Sequence, residues 1–444
     1  MTIARTICLG FLVLIGIGTL LLWMPLSTSD GSWNDPITAL FTATSAVCVT
    51  GLIVVDTGTH FSFWGELIIV ALIQLGGLGY STITTFLMIL IGRQFDLQQK
   101  FAIQESFDRP FLQGSRNLVR SIVAMTLMFE LAGAFLLFCF FVSEFPPGES
   151  LWLAVFNSIS AWNNAGFSLF FDNFVAYQAS LPLNLIISVL IIFGGLGYQA
   201  IIELYLWSHQ RLKGSKEMFV FSLNFRVVVS TTIFLLVFGT LSFFFTEYNN
   251  LQTLGQLDFG TRLLAAGFQS VVTRTAGFNS IDIGKMTTAG LFIMMGLMFI
   301  GASPSGTGGG IKTTTFRILF NCTRSVLQGK DEVSMYEREV PIPLILKAVG
   351  VVFGSVSTLV IVTVLISLSD PGFDLIAILF EVISAFATVG LSTGITASLS
   401  AAGKLFIILT MYIGRVGVLL LISALIGEPS PTHIQYPKEN LLVG

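Results

Sequence analysis

One short pattern occurs four times in this chain and constrains it more than any other feature. An apolar helix-like run ends in a small, polar loop that closes on glycine. The copies start at Phe41, Phe156, Phe268 and Phe380 and end at Gly51, Gly166, Gly277 and Gly390. The glycines are 115, 111 and 113 residues apart, too long a period for a solenoid or a propeller blade. Four such loops in one chain can surround a single axis, and a ring of backbone carbonyls around an axis can strip and hold an ion.

Composition sets where such loops would lie. Of the 444 residues, 54% are hydrophobic and only 11% are charged, against about 25% charged in a soluble domain. Thr6–Ser29 and Leu67–Gly92 carry no charge, and either is long enough for a hydrocarbon core, which takes about 20 residues. The first is longer than the apolar region of a signal peptide and no small-residue cleavage site follows, so it reads as a retained span. Cys8, Cys48, Cys139 and Cys322 lack metal-ligand spacing and suggest neither a disulfide frame nor a zinc site.

The same unit recurs along the chain: span, short half helix, loop, span. First spans are expected near 6–25, 118–142, 227–245 and 344–368, and second spans near 65–91, 183–207, 287–322 and 404–427. Between them lie runs of re-entrant length at 35–47, 150–162, 259–272 and 373–386. Asn34-Asp35-Pro36, Glu149-Ser150, Asp258 and, a little upstream of the last run, Asp370-Pro371 offer helix-opening chemistry. The expected fold class is therefore an all-α membrane protein with eight full spans in four consecutive repeats around one pseudo-four-fold pore. The repeats occupy 1–92, 93–208, 209–325 and 326–427, with a tail at 428–444.

Sixteen of the 22 Lys and Arg fall on one side: Arg5, Lys438 and the loops Arg93–Arg120, Arg211–Arg226 and Arg317–Lys347. The positive-inside rule then places both termini in the cytoplasm. The opposite side is acidic, with Asp30, Asp35, Asp56, Glu66, Glu144, Glu149, Asp172, Asp258, Asp282 and Asp370. These read equally as solvated loop residues or as a mouth that concentrates cations.

The loops indicate what passes. Their triplets are Val49-Thr50-Gly51, Asn164-Ala165-Gly166, Thr275-Ala276-Gly277 and Thr388-Val389-Gly390. Side chains differ and glycine repeats, so backbone geometry is the shared property. Carbonyls can replace the hydration shell of a monovalent cation, and with no carboxylate in the triplets a calcium- or magnesium-type cage is not expected. The other reading of any single glycine is an ordinary turn; four in register argue against it.

The second spans carry a further repeat: Gly76-Gly77-Leu78-Gly79, Gly194-Gly195-Leu196-Gly197, Gly301, and Gly414-Arg415-Val416-Gly417. In the first two copies small-residue helix packing is the better reading. The third cannot continue a helix: Gly301-Ala302-Ser303-Pro304-Ser305-Gly306-Thr307-Gly308-Gly309-Gly310 breaks the span near its middle. A phosphate loop is the rival reading, but no strand precedes it and the spacing of a P-loop is missing. A plug beneath the filter fits better.

Arg415 matches the start of that loop. A buried arginine needs partners: carbonyls of the glycine loop would serve, and so would Glu130 or Glu203. Lys312 either helps or snorkels to the cytoplasm. Arg274 is expected to tie the third loop to an acidic neighbour. Thr42, Asn157, Gln269 and Glu381, each following the repeat phenylalanine, read either as loop braces or as polar filler.

The chain resembles the ion-translocating subunit of the Trk/Ktr/HKT superfamily of potassium transporters, nearest to the bacterial Ktr type. Its most specific marks are Ala161-Trp162-Asn163-Asn164-Ala165-Gly166-Phe167 and Thr273-Arg274-Thr275-Ala276-Gly277-Phe278-Asn279. The resemblance implies four potassium-channel-like units in one chain. Glycine in all four loops implies K+ as the transported ion, because serine at the first goes with sodium transport in the family. It also implies a gating loop at 301–310, a homodimer in the plasma membrane (the inner membrane of a bacterium), and a docked cytosolic ring of regulatory subunits with Rossmann-type nucleotide-binding domains. Basic cytoplasmic loops that merely touch membrane lipid are the plainer reading of the same surface. No organic cofactor and no nucleic acid is expected. One internal departure is that the third loop is a residue shorter than the others.

An enzyme would need convergent acids, bases or metal ligands, and His60, His209 and His433 are scattered. A sodium- or proton-coupled carrier with alternating access is the alternative, but it favours two-fold inverted repeats. The residues leave open whether sodium or protons accompany potassium.

Overall fold

The computed structural model describes residues 3–79, 115–214, 218–330 and 332–427. The basic loop between Arg93 and Arg109, Lys216, Glu217, Asp331, the stretch 80–91 of the first expected second span, and the tail with His433 and Lys438 lie outside them.

The first stretch opens with α1 (Ile3–Trp23), then the short re-entrant α2 (Pro36–Val47), then α3 (Phe63–Leu78). Asp35 caps α2 by accepting from Thr38 N at 2.9 Å, with Pro36 in the first turn. The second stretch has α4 (Ser115–Phe141), α5 (Pro147–Trp162), α6 (Leu181–Leu196) and α7 (Tyr198–Leu212). The third has α8 (Leu223–Thr246), α9 (Phe259–Val272), α10 (Thr288–Phe299) and α11 (Thr313–Leu327). A two-stranded hairpin, β1 (Ser334–Met335) and β2 (Arg338–Glu339), leads to α12 (Ile342–Ser369), α13 (Leu375–Phe386), α14 (Ala401–Val416) and α15 (Val418–Ile426).

The first members α1, α4, α8 and α12 are each long and apolar enough to cross a membrane. Two of the second members are sharply bent, contrary to the expectation over 183–207 and 404–427. Helices α6 and α7 meet at 104°, and α14 and α15 at 93°. The breaks fall on the last glycine of the repeated motif: Gly197 has φ +85° and Gly417 φ +91°, and α3 ends at Gly79 with φ +78°. Side-chain-bearing residues rarely enter that region. The first glycine of each motif does pack, as expected. A Cβ on Gly76, Gly194 or Gly414 would overlap the carbonyl of Val47, Trp162 or Phe386, the last residues of α2, α5 and α13. One motif thus serves two ends: close approach at its start and a bend at its finish.

Two expected helix openings shift. Helix α5 starts at Pro147 without a side-chain cap, and α13 starts after Asp374. Asp370 instead accepts from Ser400 N and Oγ at 2.7 and 2.9 Å, tying the end of α12 to the start of α14.

The helices interlock in a closed order. Helix α3 packs on α5, α6 on α9, α10 on α13, and α14 on α2. A single apolar core runs through all four stretches, with Phe41, Phe156 and Phe380 fully buried and Phe268 nearly so.

Candidate ion pathway

Each short helix ends in a loop of one backbone shape. Val49, Asn164, Thr275 and Thr388 are left-handed, with φ of 56°, 59°, 65° and 50°, and so are Gly51, Gly166, Gly277 and Gly390 two residues on. Left-handed residues alternating with ordinary ones turn successive carbonyls to the same side. Three of the four non-glycine positions are β-branched, for which this conformation is strained. The surrounding hydrogen bonds hold it: Thr50 N, Ala165 N and Val389 N donate to Ser45 O, Ser160 O and Ser384 O at 2.7 to 2.8 Å. In the shorter third loop Ala276 N reaches back four residues to Val272 O at 3.1 Å, which absorbs the missing residue. All twelve triplet residues are buried.

The four glycines are mutual neighbours in chain order. A Cβ on Gly51 would strike Ala165 O and lie 3.0 Å from Gly166 Cα, and one on Gly166 would lie 2.7 Å from Gly277 Cα. One on Gly277 would meet Val389 O and lie 3.3 Å from Gly390 Cα. One on Gly390 would strike Thr50 O and lie 2.9 Å from Gly51 Cα. The order closes on itself.

Serine hydroxyls that the sequence reading passed over support this arrangement. Ser45 Oγ and Ser384 Oγ accept from Gly51 N and Gly390 N, both at 3.1 Å, and Ser160 Oγ donates to Phe167 O at 2.7 Å. The signal was present in the sequence, since serine stands six residues before the glycine in three of the four copies.

The 301–310 segment lies against three of these loop stretches. Gly309 N donates to Thr388 Oγ1 at 3.0 Å, and Gly308 sits so close to Thr275 Oγ1 that a Cβ would overlap it. Thr307 Oγ1 donates to Trp162 O at 3.4 Å, Thr307 N to Gly194 O at 3.3 Å, and Ser303 N to Gly195 O at 3.0 Å. The bend at Gly197 makes room for Pro304, whose carbonyl any Cβ there would strike. The segment is also tied to itself: Gly301 N donates to Ile311 O, Ala302 N to Gly309 O, and Gly306 N to Ser303 O. Ser305 and Gly310 supply its left-handed turns, with φ of 62° and 70°.

Arg415 Nη1 donates to Thr307 O and its Nη2 to Gly76 O, so one guanidinium joins this segment to α3. Lys312 Nζ donates to Gly308 O at 2.8 Å. Glu130 and Glu203 are engaged elsewhere, Glu203 with Ser222 Oγ at 2.6 Å. Among the described residues Arg274 does not pair with the acidic neighbour expected for it. It is buried, and its Nη2 donates to Gly301 O at 3.4 Å, at the start of the broken segment. Of the four residues after the repeat phenylalanine, Glu381 braces its loop. Its carboxylate accepts from Ser392 Oγ, Thr393 N and Thr396 Oγ1 at 2.6, 2.9 and 2.6 Å. Asn157 bonds only within its own helix, to Leu153 O.

Charge at the helix starts follows the same local logic. Asp258 caps α9, and hydrogen bonds from Thr261 hold its carboxyl below the usual carboxylate range.

A helical protein with apolar spans, re-entrant half helices and buried glycine loops is a multi-pass membrane transport protein in class. Residues 5–436 match the TrkH family of cation transport proteins, and the chain belongs to that family as a Trk/Ktr-type membrane subunit. It is 36% identical to Ktr system potassium uptake protein B of Bacillus subtilis, covering 99% of this chain and 96% of that one. It is 39% identical to the protein of the same name from Vibrio alginolyticus, over 99% and 94%. The potassium/sodium uptake protein NtpJ of Enterococcus hirae is 35% identical, over 99% and 97%. The crystal structure of the potassium transporter TrkH from Vibrio parahaemolyticus has the same fold, with a TM-score of 0.71 over 95% of this chain and 84% of that one, at 16% identity.

Proposed function

We propose that this chain takes up potassium across the plasma membrane through a filter of backbone carbonyls, with eight membrane crossings in four repeats around one pseudo-four-fold pore. The carrying observation is the closed order of Gly51, Gly166, Gly277 and Gly390, each lying against the next. Four identical loop shapes with no carboxylate suit a monovalent cation whose water is replaced by carbonyl oxygen. The C-terminal ends of α2, α5, α9 and α13 add negative helix-end potential. The names of the similar proteins, potassium uptake protein B and potassium/sodium uptake protein NtpJ, agree with potassium and make sodium the co-ion to vary in the assay.

The 301–310 segment is the gate. It lies under Thr275 and Thr388, and Arg415 and Lys312 hold it by its carbonyls. Its far end continues through α11 to the basic stretch and hairpin before α12. There a separate cytosolic subunit with Rossmann-type nucleotide-binding domains docks on a homodimer of this chain, both termini facing the cytoplasm. The test is potassium uptake in a potassium-transport-deficient cell with sodium varied. Serine at Gly51, Gly166 or Gly390 should lower the preference for potassium over sodium, and unchanged preference in all three would overturn the filter.

A further inference from the structure

Glu130 is a buried acid that the filter and gate leave without a task. It lies within α4 and is 6% exposed. It forms no ion pair among the described residues. Its Oε1 accepts from Asn163 Nδ2 at 3.1 Å and its Oε2 from Gln74 Nε2 at 3.2 Å. Asn163 Nδ2 also donates to Gln74 Oε1 and to Ile159 O, each at 2.9 Å. A carboxyl group taken out of water with only amide donors around it is costly unless those bonds are well made.

What the three residues join is specific. Asn163 follows α5 and immediately precedes the left-handed Asn164 of the second filter triplet. Gln74 is in α3, two residues before Gly76, whose carbonyl receives Arg415. The Asn163 side chain lies so close to Gly77 that a Cβ there would overlap its Oδ1, so only glycine admits it. Around the acid, α4 grips the end of α5 twice more. Ser158 Oγ donates to Glu130 O at 2.7 Å, and Phe129 stacks on Trp162 at 4.6 Å. The residues at the Asn163 position in the other copies are Cys48, Arg274 and Ala387, so this acid–amide clamp belongs to the second loop.

We propose that Glu130 is a positioning residue for ion selection: through Asn163 and Gln74 it sets the start of the second filter loop against the first repeat's inner helix. This rests on the filter reading. It predicts that removing the carboxylate displaces Asn164-Ala165-Gly166 and loosens discrimination between potassium and sodium.

The experiment measures concentration-dependent potassium and sodium uptake in intact potassium-transport-deficient cells. It compares wild type, Glu130→Ala, Glu130→Gln, Asn163→Ala, the double alanine variant, Ser158→Ala and Gly166→Ser. Glu130→Ala and Asn163→Ala should each raise the apparent KM for potassium relative to sodium by about tenfold, equivalent to about 1.4 kcal/mol. The double variant should be no worse than either, because both break one clamp. Glu130→Gln keeps an acceptor oxygen and should retain most of the preference. Ser158→Ala loosens helix packing without touching the carboxylate, so it should lower thermal stability and leave the KM ratio alone. An unchanged ratio in Glu130→Ala while Gly166→Ser shifts it overturns the clamp and leaves the filter standing. If neither shifts, the clamp is overturned, and Gly51→Ser and Gly390→Ser decide the filter. If Glu130→Ala does not reach the membrane, Asn163→Ala decides by the same ratio. A shift in Ser158→Ala as large as in Glu130→Ala would make packing the cause and overturn the proposal.

Discussion

Arg415→Ala should increase potassium flux. The guanidinium donates to Thr307 O in the 301–310 segment and to Gly76 O in α3, clamping the segment to a helix of another repeat. A hydrogen bond from a charged donor contributes about 1.5–3 kcal/mol. Arg415 is only half buried, and water takes up part of the loss, so the lower end applies. Losing both bonds at that lower end weakens the held state by about 3 kcal/mol, a shift of roughly 150-fold in the release equilibrium. If the proposed pore runs past Arg415, removing its positive charge acts in the same direction. Flux cannot rise further than the reciprocal of the fraction already open, which sets the ceiling on the rise. Arg415→Lys keeps the charge but loses the planar fork that reaches two carbonyls, and it should fall between. The assay is initial potassium uptake in potassium-transport-deficient cells, normalised to protein in the membrane. Flux equal to or below wild type in Arg415→Ala, at wild-type abundance, would refute the clamp.

Serine at Gly51 or Gly390 should be more damaging to potassium preference than serine at a solvent-exposed glycine such as Gly31. Its Cβ would strike Ala165 O or Thr50 O at a φ near +90°, and the uptake ratio of potassium to sodium reports it. Deleting several residues of 302–310 should raise flux; unchanged or lower uptake in a well-inserted deletion would sink the gate. The Asp258 cap has a folded pKa below its unfolded value, so its stabilisation is present at neutral pH and is lost as pH falls through the folded pKa. Asp258→Asn should therefore flatten the acid side of the melting-temperature profile in detergent. A cytosolic nucleotide-binding subunit should co-purify with the chain and make flux nucleotide-dependent. Full, nucleotide-insensitive flux by the purified chain in liposomes would leave Arg415 and the segment as a self-contained gate.

Much of this was legible without coordinates, because membrane burial and backbone geometry leave plain marks in sequence. Long apolar runs mark α1, α4, α8 and α12, with Glu130 the one acid inside α4, because hydrocarbon penalises charge wherever it occurs. The four short helices were placed within a few residues, α9 at its observed bounds of 259–272, since Asp258 supplies a local cap. The four loop glycines were visible because positive φ is a property of single residues. The broken third span was visible because Gly and Pro act on their own backbone.

What the sequence left undetermined depends on neighbours distant in the chain. The motif at Gly194–Gly197 reads as helix packing when only its own helix is considered. Gly197 also admits Pro304, more than a hundred residues away, whose carbonyl occupies the space a Cβ would need. Arg415 could have paired with Glu130 or Glu203; the tertiary structure sends it to Thr307 and Gly76, and Arg274 to Gly301 instead of an acid. Local chemistry specifies which φ, which cap and which apolar face a segment can have. Which carbonyl a buried guanidinium meets, and which amide a buried carboxylate such as Glu130 accepts from, is decided only when four separately encoded loops close on one another.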